Sequence, residues 1–221
     1  MALIESKSPL KTSGGYGKLA GETFDWDEGF RDTCRKQWEA EQKKLGEGSF
    51  GHVFGACRTT NGTKSDDCNY VVKVQKAGER FDAEVRILQL LQESKVTPRL
   101  YDSWVCNGYG YMVSQRMVGD LDVELKRTSK MAAEDIKRVQ ELLAAIHHQH
   151  VAWLDLASRN LLRGSDGLLY ATDFGVSLHF RNNTELLEPP VGGDPVAFAD
   201  AIELDWEAYR AWEQDVGIFL E

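Results

Sequence analysis

Trp153-Leu154-Asp155-Leu156-Ala157-Ser158-Arg159-Asn160, followed by Asp173-Phe174-Gly175, is the stretch on which the reading of this chain turns. Asp155 and Asn160 share one short run, and a turn-linked pair of apolar segments separates them from Asp173. One carboxylate able to take a proton and two oxygen-bearing metal ligands therefore fall on neighbouring loops. Such a trio does little unless a nucleotide is held above it, so the preceding chain decides its meaning.

Upstream, Leu45-Gly-Glu-Gly-Ser-Phe-Gly-His-Val53 lies between two strand-like segments, the second running through Cys57. Gly46, Gly48 and Gly51 let a hairpin tip approach phosphates closely and offer backbone N–H groups there. A dinucleotide-binding turn shares this spacing, but it needs a helix directly after the glycines. Val53-Phe54 continues as a strand instead, which favours the hairpin. Tyr70-Val-Val-Lys-Val74 reads as the third strand. A lysine inside it costs desolvation unless it meets an anion or lies on an exposed edge. Glu79–Ser94 follows with Phe81, Val85, Leu88 and Leu91 at helical spacing. If that helix packs beside the third strand, Glu84 pairs with Lys73; otherwise it is an ordinary solvated charge.

Pro98 ends the helix. Leu100–Cys106 and Gly110–Gln115 read as two strands joined at Asn107-Gly108, and Gly119-Asp-Leu121 opens a second half. Residues 132–149 form the longest predicted helix, with Ile136, Val139, Leu142, Leu143 and Ile146 on one face. His147, His148 and His150 sit at its end, where structural or capping roles are favoured over a metal site. Residues 1–21 read as a flexible tail, and Trp26, Phe30, Cys34 and Trp38 place a short amphipathic helix over 25–38. Asn61-Gly62 marks a turn in the polar stretch Thr59–Asp67.

The 221 residues, 42% hydrophobic and 28% charged, suit one globular domain or two small lobes. A formal charge of −9 argues against nucleic-acid or anionic-lipid binding by bulk charge. The N-terminus lacks an apolar signal core, and no apolar run is long enough to span a membrane. Cys34, Cys57, Cys68 and Cys106 form no CxxC pair, and reduced thiols in a cytosolic or nuclear compartment are expected.

Across residues 38–180 these motifs, in this order, resemble the eukaryotic-type protein kinases: Leu45-Gly-x-Gly-x-Phe-Gly-x-Val53, Val72-Lys73, Glu84, Asp155-Leu-x-x-x-Asn160 and Asp173-Phe-Gly175. The resemblance implies an α+β, bilobal protein-kinase-like fold. Its N-lobe (about 38–117) would hold a five-stranded antiparallel sheet plus one helix, and its C-lobe (about 118–221) would be reduced and mainly helical. Residues 1–37 would be an extension. It also implies ATP and Mg2+ as cofactors. Leu45, Gly46, Gly48, Ser49, Phe50, Gly51 and Val53 would cover the nucleotide, with Lys73 on its α- and β-phosphates, held by Glu84. Asp155 would accept the proton of the attacking hydroxyl, and Asn160 and Asp173 would hold magnesium. Adenine would lie against Gln115–Met117, with Ser114 behind it and Asp120 near the ribose.

Departures from the family pattern carry information of their own. Trp153-Leu154 stands where the family has His-Arg, so the arginine that meets a phosphorylated activation loop is missing. Ala157 replaces the lysine usual in serine/threonine kinases, and Arg159 offers a cation two residues on. Residues 176–221 are short for the usual activation segment and helical platform. Glu188-Pro-Pro190 only faintly matches a family landmark. Asp194-Pro195 then looks like a helix start, before a stripe of Phe198, Ile202, Trp206, Tyr209 and Trp212 on one or two helices. In this the chain is similar to minimal kinases of large DNA viruses and bacterial effectors. The expected activity is phosphoryl transfer to a protein hydroxyl, serine/threonine ahead of tyrosine, on a substrate of a host cell and without activation-loop control. A nucleotide-binding, pseudokinase-like interaction module and a small-molecule kinase are the alternatives.

Overall fold

The computed structural model describes residues 34, 36–48, 51–61, 63–182, 185–187 and 197–217. The tail over 1–21, Trp26 and Phe30, Glu188–Pro190 and Asp194-Pro195 lie outside the described residues. Strand β1 (Trp38–Gly48) folds back on β2 (Gly51–Thr60), which carries a short spur, β3 (Thr63–Lys64). After β4 (Tyr70–Lys76) the chain makes helix α1 (Glu79–Leu91) and then the hairpin β5 (Leu100–Cys106) and β6 (Tyr109–Gln115). Pairing is antiparallel throughout, in the order β1-β2-β4-β6-β5, which is the expected five-stranded sheet plus one helix. Asn107 (φ 50°) and Gly108 (φ 78°) supply the two positive φ angles of the β5–β6 turn.

Period-two alternation splits the sheet into two faces. Phe54, Ala56, Tyr70, Val72, Val74, Tyr111 and Val113 fill a core on the outer face. Lys73 and Gln75 point the other way, beneath α1. The helix buries Phe81, Glu84, Ile87 and Leu91, whereas Val85 and Leu88 are only half-buried. The apolar stripe read from the sequence is thus rotated, and the charged Glu84 sits on the buried line.

Two expectations are corrected around this sheet. Trp38 does not end a helix; it opens β1, packs edge-on against Tyr70 at 4.8 Å, and donates from Nε1 to Asp102 Oδ2 at 3.0 Å. The cysteines are not reduced thiols but two disulfides, Cys34–Cys106 and Cys57–Cys68. The first straps the chain before β1 to the end of β5, reinforced by Trp104 Nε1 donating to Cys34 O at 2.9 Å. The second closes the detour through β3, because antiparallel pairing of β2 with β4 brings its ends together. The sequence allows Cys57 and Cys68 to face each other across a hairpin, though it does not favour a bridge there, and it gives no sign of Cys34–Cys106. Crosslinking over a sequence separation of 72 residues constrains the unfolded chain by about 4 kcal/mol. Cys34→Ser is therefore expected to lower Tm by several degrees. A melting curve unchanged by that substitution and by reductant would contradict the strap.

The second half begins at β7 (Gly119–Asp120) and α2 (Leu121–Thr128), followed by α3 (Ala133–His148). Four short strands come next, in two pairs: β8 (Val151–Ala152) with β11 (Leu178–His179), and β9 (Leu161–Arg163) with β10 (Leu169–Ala171). Phe198–Gly217 is one helix, α4. Val139, Leu142, Leu143 and Ile146 of α3 are fully buried against Leu91, Trp153, Leu161, Phe174, Tyr209 and Trp212. Of the expected C-terminal stripe, Phe198, Tyr209 and Trp212 are buried, while Ile202 and Trp206 are partly so. Arg163 ties this lobe together, forking onto both Glu124 of α2 and Asp135 of α3 at 2.7–3.1 Å.

Candidate active site

Lys73 crosses from the sheet to both halves of the molecule. Its ammonium donates to Glu84 Oε1 at 2.7 Å and to Asp173 Oδ1 at 3.0 Å. Burial works against the charge, but the two carboxylates outweigh it and hold the Lys73 pKa above its ordinary value. Glu84 is only 2% exposed, so its carboxylate meets protein donors in place of water. The conditional pairing of Lys73 with Glu84 is realised because α1 lies over the face that bears residues 71, 73 and 75.

Asp155 lies on the loop between β8 and a single 3-10 turn, Ser158–Asn160. Asn160 Nδ2 donates to both the backbone oxygen and Oδ2 of Asp155, each at 2.8 Å, which turns Asn160 Oδ1 away from it. Arg159 reaches the other oxygen, Oδ1, at 2.9 Å. Burial raises the Asp155 pKa; Arg159 opposes this, and the charge of Asp173 adds to it.

This loop is held by α4, through residues the sequence reading did not assign. Asp205, wholly buried, accepts from Trp153 N and Leu154 N, both at 2.7 Å, and lies 2.8 Å from His147 Nε2. Leu154 is thereby kept at φ 61°, a left-handed conformation costly for a side chain of its kind. Farther along α4, Trp212 Nε1 donates to Ser158 Oγ at 3.0 Å. Trp153, also wholly buried, spans to the next loop, its Nε1 donating to Thr172 O at 3.1 Å and Asp173 O at 3.3 Å. Of the C-terminal histidines of α3, His147 serves Asp205 and His150 packs its ring on Phe198. An acidic residue inside an otherwise apolar helical stripe was the available signal for Asp205.

These groups face one cavity of about 680 Å³ between the two halves. Leu45, Gly46, Gly51, Val53, Lys73, Glu84, Ser114, Gln115, Met117, Asp120, Asp155, Arg159, Asn160 and Asp173 all line it. Gly48 pairs with Gly51 at the hairpin end, while Ser49 and Phe50 lie outside the described residues. Gly51 has a packing reason too: a Cβ there would sit 2.4 Å from Val74 O. Asp120 stands at the rim but also caps α2, accepting from Val123 N at 2.8 Å. Val71, Met112 and Leu162, which complete the apolar walls, were not singled out; they read as ordinary strand hydrophobics. The cavity has apolar walls at one end and Lys73, Asp155, Asn160 and Asp173 at the other. That division suits a ligand with a flat apolar part and a polyanionic tail.

The family described as Protein kinase domain matches residues 40–194. Serine/threonine-protein kinase Aurora-2 of Arabidopsis thaliana is 27% identical over 191 residues, covering 79% of this chain and 66% of that protein. Cyclin-dependent kinase D-1 of Oryza sativa subsp. japonica is 30% identical over 147 residues, 63% of this chain and 34% of that protein. Cyclin-dependent kinase 9 of Homo sapiens is 30% identical over 153 residues, 62% and 41% respectively. The chain thus spans between about one third and two thirds of the length of these relatives.

Proposed function

The chain belongs to the protein kinase family, and from that premise we propose that it transfers the γ-phosphoryl group of ATP to a protein hydroxyl, serine or threonine ahead of tyrosine. The observation that carries this reading is the continuous contact Glu84–Lys73–Asp173, facing Asp155 and Asn160 across one cavity. Lys73 binds the α- and β-phosphates, and Gly46, Gly48 and Gly51 cover them. Ser114–Met117 and Leu45 take the adenine, and Asp120 reaches toward the ribose. Asp155 orients the acceptor hydroxyl and takes its proton. Asn160 Oδ1 and the Asp173 carboxylate are hard oxygen donors that suit Mg2+, which when bound neutralises charge on the phosphates. Arg159 places a cation beside the acceptor.

In this reading activity does not await phosphorylation of an activation segment. Leu154 carries no charge to bind a phosphate, while the Lys73–Glu84 pair is already closed at 2.7 Å. The protein acts on a host-cell protein in the cytosol or nucleus. There a thiol reductant would reach the disulfides through the half-buried Cys68 and Cys106, since Cys34 and Cys57 are almost wholly buried.

Transfer from labelled ATP and magnesium into lysate proteins, wild type against Asp173→Ala, tests the reading. The wild type should label protein hydroxyls without prior activation, and the variant about a hundredfold less or worse. Equal labelling by both would sink the assignment. Thermal stabilisation by MgATP with no labelled protein would instead favour a nucleotide-gated binding module. Labelling of amino sugars alone would indicate a small-molecule kinase.

A further inference from the structure

Gln75 is a buried amide in the middle of the catalytic sheet, only 5% exposed. It stands two residues after Lys73 on β4, so both side chains project from the same face. Its Nε2 donates to Glu84 Oε2 at 3.1 Å, while Lys73 takes Glu84 Oε1 at 2.7 Å. An ionised carboxylate only accepts, so the amide nitrogen must be the atom that faces it. Both oxygens of Glu84 are therefore fixed from the strand.

The surroundings are cut to admit this contact. On either side Gln75 pairs with a glycine, Gly51 of β2 and Gly110 of β6. A Cβ on Gly51 would lie 2.9 Å from the Cβ of Gln75, and one on Gly110 would lie 2.3 Å from the Phe81 ring. Phe81, one turn before Glu84, thus beds into the gap beside Gln75. The cost is also visible, for Gln75 Oε1 is buried with no hydrogen-bond partner among the described residues. A buried carbonyl left unpaired costs stability, and that cost is set against the hydrogen bond that Gln75 gives the buried Glu84 carboxylate. What the amide gives in return is the orientation of Glu84.

We propose that Gln75 is a positioning residue that latches Glu84, and with it α1, so that the Lys73–Glu84 pair stays assembled without a phosphorylated segment. This rests on the phosphoryl-transfer reading above. It deepens that reading by naming what replaces the missing arginine-based control: a hydrogen bond inside the N-terminal lobe, present whatever the state of the later chain.

The test is Gln75→Met, close in length but without a donor, with Gln75→Leu as a second variant should Met fold poorly. Three readouts are taken: Tm, hydrogen exchange of the α1 amides, and initial rates from labelled ATP with magnesium. We expect Tm to change little, because the lost hydrogen bond to Glu84 is offset by removal of the unpaired carbonyl, while α1 amides exchange several-fold faster and kcat/KM for ATP falls about tenfold. Wild-type rates and wild-type exchange in both variants would overturn the latch. So would a fall in activity in both variants no greater than the loss of folded protein, with α1 exchange rising no more than exchange elsewhere, which marks a merely structural side chain. If the wild type transfers nothing, the phosphoryl-transfer reading fails. The latch is then decided by α1 exchange and by the affinity for a fluorescent ATP analogue with magnesium, with wild-type values in the variants refuting it.

Discussion

Asp155→Asn should lower phosphoryl transfer about a thousandfold while leaving the fold and nucleotide binding intact. Asparagine keeps the shape of the side chain but not the basic carboxylate that takes the hydroxyl proton in the proposed reaction. Stability should hold because burial already disfavours the charged form of Asp155, so neutralising it removes a cost as well as a contact. Its partner Arg159 is 64% exposed at the side chain and returns to water. Initial rates at saturating ATP, together with melting curves with and without MgATP, separate these effects. A variant that transfers at the wild-type rate would remove Asp155 from the reaction.

Asp205→Ala should have the largest effect on stability. The carboxylate is wholly buried and serves two backbone amides and one imidazole. Without it those groups are stranded, at about 1–3 kcal/mol each. A combined loss of about 4 kcal/mol is a large share of the 5–15 kcal/mol typical of a domain. Catalysis should fall further than the folded fraction alone explains. Leu154 is held at its left-handed φ by that carboxylate, and Asp155 follows directly. Denaturant titration gives the stability, and rates normalised to folded protein give the remainder. If normalised rates match the wild type, Asp205 supports the fold without shaping the loop. Asp205→Asn, which keeps one acceptor, should fall between the two.

The strands and helices were largely legible because their signals are local. The apolar β-branched run Tyr70–Val74, the Asn107-Gly108 turn and the apolar face of α3 each fix their own segment. Element boundaries near Trp38 were not legible, because that aromatic fits a helical spacing and a strand start equally well. Its environment, Tyr70 and Asp102 across the sheet, decides between them. The stripe of α1 was misjudged for a related reason. A sequence pattern counts a glutamate as surface, yet Glu84 is buried where Lys73 pairs with its charge and Gln75 donates it a hydrogen bond.

The candidate site divides in the same way. By itself the sequence determined which residue types are available for the proposed phosphate, proton and metal roles, through motifs whose order resembles that of the protein kinases. It also determined that Leu154 cannot bind a phosphate, because that follows from the side chain alone. Only the tertiary structure decided what holds those residues in place. Asp205 and Trp212 reach the Asp155 loop from a helix some fifty residues later in the chain. Gln75 meets Glu84 across a strand–helix interface, and four cysteines pair by the course of the sheet. These partners are distant in sequence and chemically ordinary, so no local pattern marks them. Their roles arise from burial, where a single acceptor or donor must satisfy groups that water no longer reaches.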